Sequence, residues 1–172
     1  MAAYDYMRSG RVPFDEIQEA AWTASEGDPA NMDRLVSWLD HDDSTVRYWA
    51  AQGLLILGEA ARPHLEAVKA HAFDASLNTS VNCAELLYLL GETESAVSAY
   101  NRVLESEEPM ARTHALNSID CIDAPPGLFL DSCLGVLARY EVLRGQNDVR
   151  VVMWLFQKWG IDPADHGVEF TG

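Results

Sequence analysis

Three arginines recur at one register of this chain. Arg47, Arg112 and Arg150 occupy matching positions in separate helix-patterned stretches. A guanidinium is a planar fork of donors that fits the oxygens of sulfate, phosphate or carboxylate. Such a ladder could bind sulfate or another anion. It could also pair with acidic turn residues such as Asp43 or Glu108 and tie adjacent repeats together, and the acid-rich turns favour this structural ladder. A fourth stretch carries Ser80 at the matching position, so the ladder has a gap.

Other clusters are chemically weaker. His64 and His71 lie seven apart, two turns along one helix face, but a third metal ligand is not evident. Asp40, Asp42 and Asp43 gather at a turn without the glycine and distal glutamate of an EF-hand loop, so a solvated turn is expected. Cys121 lies seven residues after His114, a spacing open to a nucleophile and its base, yet nothing polar marks a pocket there. Cys83, Cys121 and Cys133 form neither a disulfide framework nor a zinc pattern and are read as small buried hydrophobes. The five tryptophans, at 22, 38, 49, 154 and 159, are expected in the core. No catalytic, cofactor-binding or metal-ligating residue is assigned, and no cofactor is expected.

The elements that must position these residues are helical. In Asp43–Glu59, Val46, Trp49, Ala50, Gly53, Leu54 and Leu57 recur at three- and four-residue steps, the stripe of a buried helix. Asp43 or Ser44 can cap it, and Gly58 can end it in a left-handed turn. The pattern returns in Thr79–Glu92, Ala111–Asp123 and Val149–Gly160, and Gly58 to Gly91 is a step of 33 residues. Each apolar stripe needs a neighbour to cover it, so the recurrence predicts a stack of helix pairs. The expected fold is all-α, a HEAT-like α-solenoid of about four antiparallel helix pairs preceded by a short N-terminal helix. Residues 1–12 are expected as an extended N-terminal segment, 13–163 as the helical repeat domain and 164–172 as a loose C-terminal tail. A helix is expected from Leu128 to about Leu143.

The 172-residue chain is 48% hydrophobic and 23% charged, ordinary for one globular domain. Its net charge of -15 is not. Such a surface repels phosphates and argues against nucleic acid and anionic membrane as partners. No secretory leader is expected, because Met1-Ala-Ala leads straight into Tyr4-Asp5-Tyr6.

Residues 45–65, TVRYWAAQGLLILGEAARPHL, resemble HEAT repeats. They resemble more closely the helical domain that follows the catalytic domain in many bacterial sulfatases. YDYMRSGRVPFDEIQEAA, GDPANMDRLVSWL, ARTHALNSIDCID and DVRVVMWLFQKWGID fit the same family, so the resemblance runs from Tyr4 to Pro163. It implies an alkaline-phosphatase-like catalytic domain on the N-terminal side, and a periplasmic or secreted location if the chain is part of such an enzyme. Sulfatases hydrolyse sulfate esters with a formylglycine made from Cys or Ser in a C-x-P-x-R sequence, beside a calcium ion. Here Cys83 precedes Ala-Glu-Leu-Leu, Cys121 precedes Ile-Asp-Ala-Pro and Cys133 precedes Leu-Gly-Val-Leu, and no Ser-x-Pro-x-Arg occurs.

The expected function is therefore a non-catalytic accessory domain that packs against a sulfatase catalytic domain in cis. The alternative is a stand-alone protein–protein interaction module. Tyr4, Tyr6, Met7, Phe14 and Ile17 put large apolar groups at the end of the stack, where a free terminal repeat should be polar. They form the candidate docking surface.

Overall fold

A computed structural model describes residues 12–140 and 145–168. The chain is all-α, and no strand occurs among the described residues. The helices are α1 (Phe14–Glu26), α2 (Met32–Trp38), α3 (Ser44–Leu57), α4 (Leu65–His71), α5 (Leu77–Leu89), α6 (Thr93–Leu104), α7 (Pro109–Cys121), α8 (Pro126–Leu137) and α9 (Asn147–Trp159). Short 3₁₀ turns cover Pro29–Asn31, Gly58–His64 and Pro163–His166.

The caps explain several boundaries. The Asp43 carboxylate accepts from the N–H groups of Thr45 (2.8 Å) and Val46 (3.3 Å), satisfying two orphan donors of α3. Asp28 does the same for Ala30, with Pro29 following it. Gly160 ends α9 in the left-handed conformation, φ 68° and ψ 30°. Gly58 departs from expectation: its φ is 54° but its ψ is -122°, and the chain runs on as a 3₁₀ turn instead of stopping. The helix expected from Leu128 to about Leu143 instead spans Pro126–Leu137, starting on a proline suited to a first turn. The beginning of the tail expected to be loose is ordered, since Asp162 caps the turn Pro163–His166 and Val168 packs on the core.

The odd-numbered helices touch in series, α1 to α3, α3 to α5, α5 to α7 and α7 to α9. Of the others, α6 packs on α5, α7 and α8, while α2 covers α3 and α4 covers α5. The centre is α5, where every residue from Thr79 to Ala84 is buried. Tyr100 of α6 and Phe129 of α8, both fully buried, meet edge to face at 5.5 Å between ring centroids.

On α3, Val46, Ala50, Gly53 and Leu54 are buried as the stripe predicts, whereas Trp49 and Leu57 are only half-buried. Two other tryptophans correct the expectation of a wholly internal set. Trp22 is 65% exposed and Trp154 56%, each lying off the buried stripe of its helix. Cys121 is likewise exposed, while Cys83 and Cys133 are buried, which pushes both thiols up to about 12.

Gly53 marks a close approach of α1 and α2 to α3. A Cβ there would lie 2.7 and 2.9 Å from the two Leu35 methyls and 3.0 Å from the Ala24 Cα, which is backbone. Gly53→Ala is expected to force α1 and α2 away from α3 and to destabilise the protein by about 1–3 kcal/mol. Urea unfolding checks this, and an unchanged midpoint would show that the three helices separate freely.

Candidate functional site

Each ladder arginine is held at the fourth residue of its helix: Arg47 in α3, Arg112 in α7 and Arg150 in α9. At that position a long side chain lies beside the turn preceding its own helix. Arg47 Nη1 donates to the carbonyl of His41 (2.8 Å) and Arg112 Nη1 to that of Ser106 (2.6 Å), in each case six residues back. The remaining donors go forward to the entry of the next odd-numbered helix, Asp74 lying in the turn before α5 and Asp148 in the first turn of α9. Arg47 makes a bidentate pair with Asp74, Nε to Oδ2 at 2.8 Å and Nη2 to Oδ1 at 3.0 Å. Arg112 Nε donates to Asp148 Oδ2 at 2.7 Å and its Nη2 to the Tyr140 hydroxyl at 2.5 Å, while that hydroxyl donates to the same carboxylate oxygen at 2.8 Å.

The acidic partners thus differ from those expected. Asp43 is occupied as the cap of α3, so Arg47 takes Asp74. Glu108 sits directly before α7, and Arg112 reaches past it to Asp148. Both chosen carboxylates are sheltered, Asp74 at 7% and Asp148 at 0% side-chain exposure, so the pairs carry low-dielectric strength. Burial alone would raise the Asp74 pKa. The donors from Arg47, Ser76 and His71 outweigh it and hold the carboxyl below its ordinary value of 3.8. Burial also opposes the charge on Arg112, but Asp148 and Tyr140 raise its pKa nonetheless.

The gap at Ser80 is filled by a smaller device. Its buried hydroxyl donates to the carbonyl of Ala72, again in the preceding turn. Two arginines not singled out from the sequence complete the pattern, one from α6 and one from the turn after α8. Arg102 reaches back to the Asp74 carbonyl (3.0 Å), and Arg139 reaches back to the Glu105 carbonyl (2.6 Å) and the Glu107 carboxylate (2.6 Å). Arg150 behaves differently. It is exposed, and its side chain has no hydrogen-bond or ion-pair partner among the described residues.

The structure separates the remaining candidates. His64 lies 3.8 Å from Asp33, and His71 lies 3.2 Å from Asp40 and 3.6 Å from Asp74, so each histidine has its own carboxylates. Among the described residues, no three His, Cys, Asp or Glu side chains are grouped to hold a metal. His114 contacts Asn78, its Nδ1 donating to Oδ1 at 3.0 Å, in a cleft of about 400 Å³ lined also by Ser44, Thr45 and Tyr48. Burial lowers the His114 pKa, which favours a neutral ring there. Of the docking residues, Phe14 is 54% exposed and Ile17 half-buried on α1, and Tyr4, Tyr6 and Met7 lie outside the described residues.

No protein-family model matches this chain, and no curated protein matches it. Among the described residues, no helix is long and apolar enough to cross a membrane.

Removing either member of the Arg112–Asp148 pair leaves an uncompensated buried charge. Arg112→Ala and Asp148→Ala are each expected to cost about 3–5 kcal/mol. A double-mutant cycle should give strong coupling for this pair, with none between Arg112 and Glu108. Asp74 supplies a pH signature. Its folded pKa is lowered, so its contribution is complete above 3.8 and is lost as pH falls through the folded value. Asp74→Asn should therefore flatten the acid limb of stability below about 3.8, read by thermal melting across pH. An acid limb as steep as wild type would place the titration elsewhere.

Proposed function

We propose that this chain is a non-catalytic HEAT-like helical module of about four antiparallel helix pairs, serving as an accessory domain like the C-terminal part of a sulfatase and packing against a catalytic domain. The observation that carries this reading is the repeated arginine tie. The same helix position in α3 and α7 bonds the same two things, the preceding turn and a carboxylate one repeat ahead. A device of this kind supports a scaffold built from successive like units. It also argues against Arg47 and Arg112 as anion receptors, because protein acceptors already engage their guanidiniums. The resemblance to the sulfatase helical domain supplies the identity of the partner.

The alternative, a stand-alone protein-interaction module, draws on a different observation. Apolar side chains are exposed on several helices, including Ile56 of α3 (51%), Leu89 of α5 (54%) and Met110 of α7 (71%). A partner binding along the stack would cover these.

One set of measurements separates the readings. The purified chain with calcium and a chromogenic aryl sulfate is expected to give only the background rate, and turnover that survives repurification would overturn the non-catalytic reading. Fusing a sulfatase catalytic domain upstream is expected to shield Trp22 near the N-terminal end from acrylamide quenching, with Trp22→Phe as the reference. Unchanged quenching in the fusion would favour the stand-alone module.

A further inference from the structure

Every other described arginine and lysine holds a carboxylate or a backbone carbonyl. Arg150 alone among them has neither, and it borders a groove of about 500 Å³ between α7 and α9. In a chain of net charge -15, an arginine left without a carboxylate is the exception to be explained.

The rest of the groove suits a small ring that carries a polar group. Asn117 of α7 and Asn147 of α9 offer neutral donors and acceptors, and Thr113, whose hydroxyl donates to the Pro109 carbonyl at 2.8 Å, offers an acceptor. Trp154 stands at the groove with 56% of its surface exposed. Its indole N–H donates to Asp120 Oδ2 at 3.2 Å, which fixes the ring edge before any ligand arrives. The one carboxylate lining the groove is already balanced, because Lys158 Nζ donates to Asp120 Oδ1 at 2.9 Å. A ligand therefore meets a guanidinium fork, a row of neutral polar groups and an aromatic face tethered at its indole edge. We propose that the groove between α7 and α9 binds a carboxylate borne on a six-membered ring, with the carboxylate on Arg150 and one ring face against Trp154.

Two sources share that chemistry, an aromatic acid and a sugar acid. The site goes beyond the scaffold reading and does not depend on it, since Arg150 lies outside the ion pairs that tie the helices together. Benzoate and glucuronate serve as probes and glucose as the neutral control, with ¹⁵N NMR following the indole N–H of Trp154 and the Nε–H of Arg150. At least one acid should shift these signals saturably, with the responding probe naming the source. Arg150→Gln should weaken the acid by about tenfold or more, because a charge-assisted pair is lost. Its melting curve should match wild type, since the side chain is exposed. Shifts that stay linear to tens of millimolar would overturn the proposal. So would saturation by glucose equal to that by the acids, or acid binding undiminished in Arg150→Gln.

Discussion

The rest of the structure depends on how the chain handles buried charge between neighbouring helices. Arg112 and Asp148 are almost wholly removed from water, at 3% and 0% side-chain exposure. Taking two ions out of water costs several kcal/mol each, and only close, multiply bonded geometry offsets it. That geometry is present, with the preceding carbonyl, the carboxylate and the Tyr140 hydroxyl all engaged. The pair fixes α9 against α7 in one register, because any slip would leave both ions desolvated and apart. Arg47 and Asp74 do the same for α3 and the entry to α5. Apolar burial holds the helices together, and the arginines specify where they meet.

Much of this was legible in the residues, and the limits have physical causes. Helices α3, α5, α7 and α9 were readable because their stripes keep a 3.6-residue period and their first turns share a register. The partners of the arginines were not. Asp74 lies 27 residues beyond Arg47, and Asp148 lies 36 beyond Arg112, so no fixed spacing advertises the pair. The intervening segments differ in build, with a 3₁₀ stretch and the seven-residue α4 in one and the twelve-residue α8 in the other. Glu108 was a natural sequence neighbour, but a residue directly before a helix points its side chain differently from one a whole repeat away. Arg102 and Arg139 carried a readable signal, a cation near the end of a helix beside an acidic turn. Trp22 and Trp154 show that aromatic bulk alone does not dictate burial, since both sit off the stripes their helices bury.

The charge distribution follows from the same contacts. Eight of the nine described basic residues are engaged by protein acceptors, in a chain with 27 acidic and 12 basic residues. Arg150 is the local reversal of that pattern.

The forward reach of Arg112 also bears on how the molecule comes apart. Terminal helices ordinarily fray first, since they have a neighbour on one side only. Detaching α9 here would strand a desolvated guanidinium inside the remaining body, so its opening carries an electrostatic penalty that an apolar end helix would lack. Amide protons in α9 should then exchange with solvent in step with those of α7, the two helices behaving as one cooperative unit instead of as an edge and an interior.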